Sequence, residues 1–201
     1  FIVNPTDKSF KPIVKSMPIA LFHELFFEFK DKVASALFNR GEQVYTYKYI
    51  KEFEWLINNT TSENIIEESF DKLSIAPSGL MLLVHNSDFE DLDSLIKTKY
   101  KDFLFTRNWG RDRKYTIYEV CAIDAHKSAA ASYVIDYLGY NKEETICFGD
   151  GINDLELIRD AYFGVAMKNA YLEVKEVCDD ITEFNNDNDG VIEYLKKYVN
   201  N

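Results

Sequence analysis

Apolar residues recur with two different textures along this chain, one before about residue 120 and one after it. In the first stretch, Phe10–Met17 alternates apolar and polar side chains and predicts a strand. Ile19–Lys32 places Leu21, Leu25, Phe26 and Phe29 at helical spacing. Val33–Phe38 and Gln43–Tyr47 flank an Asn39-Arg40-Gly41 turn and predict a hairpin. Tyr49–Asn58 reads as a helix and Asn58–Glu63 as a polar connector. Leu80–His85, Phe103–Trp109 and Lys114–Ile123 read as strands, with a helix over Phe89–Thr98. Mixed strands and helices in that order make an α+β unit.

The second stretch is more regular. Ala131, Val134, Ile135 and Leu138 fall at i, i+3, i+4 and i+7, so Lys127–Leu138 is predicted as an amphipathic helix ending at Gly139. Thr145–Phe148 and Gly164–Met167 are short apolar runs of the buried parallel type. Asn153–Asp160 and Ala170–Val177 read as helices, the second with Asn169 as its cap. Asp189 is placed to cap a last helix that carries Val191, Tyr194, Leu195 and Tyr198 on one face. Helices alternating with buried strands indicate an α/β fold with a parallel sheet covered on both sides.

Composition narrows the possibilities. The 201 residues are 46% hydrophobic and 15% aromatic, enough for one ordinary core or two small ones and too much for a disordered chain. Lys and Arg number 23 against 34 Asp and Glu, a net charge of −11. That field disfavours nucleic acid and anionic membrane as partners, and an anionic small substrate would need a local positive device. No apolar run approaches the ~20 residues of a membrane span, and no signal peptide is read at the start. Cys121, Cys147 and Cys178 are odd in number, far apart and set in apolar runs. They are read as reduced core residues of a cytoplasmic protein.

The chemistry concentrates in Thr145-Ile-Cys-Phe-Gly149-Asp150-Gly151-Ile-Asn153-Asp154. An apolar strand delivers Asp150 to its carboxyl end, where ligands bind in open α/β sheets. The two glycines are expected to allow a sharp turn and a close approach to a ligand. Asp150 and Asp154 held close together are costly unless a cation lies between them, and hard oxygen ligands with open positions suit Mg²⁺. A plain turn with an Asp or Asn helix cap explains the same residues. Lys127 tips the balance, because the start of the preceding helix brings an ammonium to the same sheet edge, where it can neutralise a phosphate.

Three ordered segments carry a resemblance: Asp124-Ala-His-Lys127-Ser-Ala-Ala, Gly149-Asp150-Gly151-Ile-Asn153-Asp154-Leu-Glu-Leu-Ile, and Gly164-Val-Ala-Met-Lys-Asn169-Ala. Residues 121–201 resemble the C-terminal half of a haloacid dehalogenase (HAD) superfamily phosphatase, closest to the Cof-type branch with its large type IIB cap. Ser128 and Lys168 stand where that family usually has glycine, and Asn186–Val191 resembles its Asn-rich last motif. The resemblance implies a HAD-type Rossmann-like parallel core with an α+β cap. Residues 1–9 would begin the core as its third strand, 10–120 would be the cap, and 121–201 the C-terminal part of the core. It implies a Mg²⁺-dependent phosphomonoester hydrolase acting on small phosphorylated metabolites such as sugar phosphates. Asp150 and Asp154 would hold the metal, Lys127 and Asn153 would bind the phosphate, Lys127, Asp150 and Asn153 would serve catalysis, and Asn186 would lie on the substrate side. In that family a nucleophilic aspartate forms an aspartyl-phosphate and a second aspartate two residues later acts as general acid.

That Asp-x-Asp motif is missing from the expected place. Asp91–Asp93 is the one candidate in the first half, and it falls in a predicted helix with no glycine turn after it. The strands that would carry the first two motifs lie mid-sheet in this family, so without them apolar faces and backbone groups would be exposed. The expectation is therefore an incomplete copy of a longer protein, inactive as it stands. The alternative is an inactive HAD-like binding or regulatory protein that kept the metal turn. Asn185–Gly190 mimics the first half of an EF-hand loop, but Lys196 occupies the position that requires a bidentate Glu. His23, His85 and His126 are not spaced as ligands; His126 adjoins Lys127 and could approach the same edge.

Overall fold

A computed structural model describes residues 2–4, 6, 7, 9–57 and 64–199. The chain divides into two compact units, Phe1–Ala125 and His126–Asn201.

The first unit is a six-stranded sheet with helices on one face. Its elements are α1 (Ile19–Phe29), β1 (Val33–Arg40), β2 (Gln43–Tyr47), β3 (Ile65–Glu67), β4 (Gly79–His85), α2 (Phe89–Lys99), β5 (Leu104–Arg111) and β6 (Tyr115–Ala122). The strand order is β3-β2-β1-β4-β6-β5, antiparallel throughout except for the β2–β3 pair. Strand periodicity explains the core: Leu80, Leu82 and Val84 point to one face of β4, where Tyr118 and Val120 of β6 join them. Phe22, Leu25, Phe26 and Phe29 of α1 and Leu92 and Ile96 of α2 cover that face. Leu83 points the other way and meets Leu37, Val44 and Ile57. At the β1–β2 hairpin Gly41 takes a left-handed backbone, φ 61°, that favours glycine.

Two readings of this unit need correction. Phe10–Met17 forms no strand; Ile13 makes a single antiparallel bridge with Ile2. Pro12 and Pro18 lack the N–H groups that a ladder would use. Tyr49–Asn58 becomes a tighter 3-10 turn over Lys51–Leu56, and the short strand β3 had no alternating pattern to announce it. The connector at Asn58–Glu63 lies outside the described residues.

The second unit holds α3 (Lys127–Leu138), β7 (Cys147–Gly149), α4 (Leu155–Asp160), β8 (Gly164–Ala166), α5 (Leu172–Lys175), β9 (Asp180–Ile181) and α6 (Gly190–Val199). β7, β8 and β9 form a parallel sheet in that order, β9 being a strand the sequence pattern did not reveal. Among the described residues nothing pairs with the outer edge of β7. Ile158, Ala166, Met167, Ala170 and Val174 form the core, with Phe148 and Leu155 packed against it. Gly164 is required by close approach, since a Cβ there would sit 2.3 Å from the Ile158 carbonyl oxygen.

Helix α3 has the predicted bounds and ends at Gly139 with φ 75°, where the Tyr140 N–H donates to the Ile135 carbonyl at 3.1 Å. Its apolar stripe, however, is not buried: Val134 and Leu138 are 38% and 58% exposed. The buried side chain is Ser128, whose hydroxyl donates to Asp160 Oδ2 at 2.9 Å. A sheet three strands wide gives α3 little to cover. Cys121 is buried and Cys147 and Cys178 are half-buried, all as free thiols. No helix among the described residues is long and apolar enough to cross a membrane.

Candidate active site

Strand β7 ends at Gly149, and the chain turns at once into a 3-10 segment, Ile152–Asp154, that runs into α4. Neither Gly149 nor Gly151 has a left-handed backbone. Both are needed for room. A Cβ on Gly149 would lie 2.5 Å from Asp154 Cβ, and one on Gly151 would lie 2.6 Å from Asn153 Oδ1. The turn folds over the strand tip so that Asp154, 5% exposed, sits beneath it.

Asp154 uses both carboxylate oxygens. Oδ2 accepts the N–H groups of Asp150 and Gly151, each at 3.1 Å. Oδ1 accepts from the Lys127 ammonium. Burial pushes the Asp154 carboxyl up, but Lys127 and the two N–H groups outweigh it, leaving the group below its ordinary value. Lys127 reaches this point because it is the first residue of α3. The ring of His126 caps that helix, Nδ1 accepting the Ala129 N–H at 3.2 Å.

Asp150 is held differently. Its carbonyl accepts the Tyr171 N–H at 3.0 Å, and its Oδ2 accepts from Asn169 Nδ2 at 3.2 Å. Asn169 in turn accepts the Asn186 N–H on Oδ1 at 3.1 Å. The expectation that Asn169 caps the following helix is therefore corrected: α5 starts at Leu172, with Tyr171 in the cap position. Asn169 is a site residue that sequence reasoning missed, although it lay inside a motif already singled out.

Lys127, Gly149, Asp150, Asp154, Met167, Asn186 and Asp189 line a cleft of about 360 Å³, with Phe148 and Gly190–Ile192 along its apolar side. Asp189 introduces α6 with a left-handed backbone, φ 53°, and its carbonyl accepts the Glu193 N–H at 2.9 Å. Lys127, Asp150, Asp154 and Asn186 thus converge on one cleft. Asn153, expected to face the phosphate, is on the same turn but not in the lining; its carboxamide packs over Gly151. Asp91 and Asp93 lie on α2 of the first unit, where Asp93 accepts the Tyr118 hydroxyl at 2.5 Å and pairs with Lys97 at 2.8 Å.

The tip of a parallel strand thus carries a buried, lysine-paired aspartate, Asp154, beside a second aspartate, Asp150. The family model of the haloacid dehalogenase-like hydrolases matches residues 2–195. The chain belongs to that family. Among curated relatives, a Haemophilus influenzae protein provisionally named a phosphatase is 28% identical over 147 residues, 73% of this chain and 54% of that protein. The Bacillus subtilis 5-amino-6-(5-phospho-D-ribitylamino)uracil phosphatase YitU is 24% identical over 199 residues, 98% of this chain and 73% of YitU. Among solved structures, a HAD subclass IIB sugar phosphatase superposes with TM-score 0.72 at 20% identity, over 92% of this chain and 68% of that one. The fold is that of the HAD phosphatases, and the chain spans about half the length of the Haemophilus relative.

Proposed function

We propose that this HAD-family chain forms the cap and part of the core of a Mg²⁺-dependent phosphomonoester hydrolase for small phosphorylated metabolites, sugar phosphates or the phosphoribityl class. The observation that carries this reading is the Lys127–Asp154 pair at the tip of β7, beside the second carboxylate of Asp150. The named substrates of YitU and of the sugar phosphatase supply the substrate class.

The donor set fits Mg²⁺. Asp150 keeps Oδ1 without a protein partner among the described residues, and Mg²⁺ takes one or two carboxylates while retaining waters. Asp150 and Asp154 would hold the cation, Asp150 through its unengaged oxygen, while Asp154, with both oxygens engaged by the chain, keeps Lys127 in place. When bound, the metal supplies charge stabilisation on the phosphoryl oxygens.

The chain's own residues do the rest. Lys127 presents a fixed ammonium to the transferring phosphoryl group, pre-oriented by Asp154 so that no reorganisation is needed at the moment of reaction. Asn186 faces the substrate side of the cleft. The nucleophile is assigned to a strand outside the described residues that pairs with the outer edge of β7, which has no partner among them. Supporting this are that edge and the exposed stripe of α3. Residues 10–120 carry leaving-group selection.

The test is hydrolysis of p-nitrophenyl phosphate with and without Mg²⁺, by the 201-residue chain and by the product of its full reading frame. Turnover is expected only for the longer product, and Asp150→Ala in that protein should abolish it. Mg²⁺-independent turnover, or near-normal turnover by the Asp150→Ala variant, refutes the site. A longer product that binds Mg²⁺ but never turns over favours the binding-protein alternative.

A further inference from the structure

Asn169 bridges two parts of the site that are 36 residues apart in sequence, Asp150 and Asn186. Its amide orientation is forced by chemistry. A carboxylate only accepts and a backbone N–H only donates, so Nδ2 must face Asp150 and Oδ1 must face Asn186. An aspartate, a common helix cap, only accepts and could not serve both partners at once. The position itself is well braced. The Lys168 N–H next to it donates to Thr182 Oγ1 at 2.9 Å, and the Lys168 carbonyl accepts from Lys175 Nζ at 2.6 Å. The turn beyond Asn186 is equally tight, since a Cβ on Gly190 would lie 2.4 Å from the Phe184 carbonyl oxygen.

The geometry points to Asn169 as a positioning residue that couples the cation site to the substrate-side turn. By occupying Asp150 Oδ2, it fixes the carboxylate rotamer and leaves Oδ1 to the metal; by holding the Asn186 N–H, it ties the 185–190 turn to that rotamer. Mg²⁺ binding and ordering of the turn are then two readings of one hydrogen-bonded unit. This inference rests on the assignment of Asp150 as the metal ligand.

The experiment titrates the full chain with Mg²⁺ alone, by calorimetry, and follows the Asn186 amide by hydrogen exchange. In the unmodified protein Mg²⁺ slows exchange at Asn186 several-fold. Asn169→Leu weakens Mg²⁺ binding about ten-fold, the effect of removing a partner of a metal-ligating carboxylate, and exchange at Asn186 no longer responds to Mg²⁺. Asn169→Asp keeps the acceptor oxygen and so keeps the Asn186 amide protected in metal-free protein, where Asn169→Leu does not. If Asp150→Ala loses Mg²⁺ but Asn169→Leu binds it as the unmodified protein does, the coupling is overturned and the metal assignment stands. If Asp150→Ala still binds Mg²⁺ normally, both fall together. Should Asn169→Leu fail to fold, the unmodified protein decides: exchange at Asn186 indifferent to Mg²⁺ overturns the proposal.

Discussion

Asp154 is the residue on which the strand-tip turn depends, and two substitutions separate its two roles. Asp154→Ala removes the acceptor for the N–H groups of Asp150 and Gly151 and leaves Lys127 without its partner. Each orphaned N–H costs about 1–3 kcal/mol, and water reaching the turn from the cleft recovers part of that, so the expected loss is about 2–4 kcal/mol. Asp154→Asn keeps one oxygen for both N–H groups at almost the same volume and loses only the ion pair. The Lys127 side chain is 50% exposed and can return to water, which limits that loss to about 1 kcal/mol. Native-state hydrogen exchange at the Met167 and Thr182 amides, which donate to Gly149 and Ala166 in the sheet beneath, reads both losses directly. The pH dependence carries a sign. The Asp154 carboxyl lies below its ordinary 3.8 in the folded state, so its contribution is complete above that value and is lost as pH falls through the lower folded one. The gap between the unmodified protein and Asp154→Asn should therefore close in acid. Equal damage from Ala and Asn, or an Ala variant within about 0.5 kcal/mol of the unmodified protein, would refute the account of the turn.

Three further outcomes follow from packing and hydrogen bonding. Gly149→Ala forces a Cβ to within 2.5 Å of Asp154 Cβ and should cost about 1–3 kcal/mol in urea unfolding followed by far-UV circular dichroism. Phe22→Ala empties a fully buried site ringed by Phe38 and Phe70 and should cost about 3–5 kcal/mol, read from the fluorescence of Trp55 and Trp109 in the same unit. Tyr194→Phe removes the hydroxyl that donates to Asp180 Oδ2 at 2.5 Å and should cost about 1–2 kcal/mol at neutral pH. That same bond holds Asp180 below its ordinary 3.8, so the cost should shrink on acidification through the lowered value as the charge-assisted part of the bond is lost.

The site was legible in outline because its parts are local. Strand, glycines and two aspartates lie within eight residues, and Lys127 opens a helix whose C-terminus at Gly139 the sequence also marks. What escaped were features set by contacts between distant segments. Asn169 looked like a cap because a short polar residue before an apolar helical run is the local signature of one. Its partners, Asp150 and Asn186, adjoin it only once β7, β8 and the 185–190 turn are assembled. The glycines were singled out for a sharp turn, and the structure adds a need the sequence did not show, space for Asp154 and Asn153 against the backbone. Strand β9 is two residues long and takes its extended form from pairing with β8, so no periodicity could announce it.

The amino-acid order alone determined which segments are helix or strand wherever a period of two or 3.6 ran for several turns, as in α1, α2, α3, β4 and β6. It also determined that an acidic turn follows an apolar strand, which the structure leaves half-buried at Cys147 and Phe148. Tertiary structure decided which of those faces found cover and which polar groups found each other. Val134 and Leu138 stay exposed despite a helical apolar stripe, while the polar Ser128 is buried against Asp160. The physical reason is that backbone preference acts over a few neighbouring residues, whereas burial and side-chain pairing are properties of the surfaces that the fold brings together.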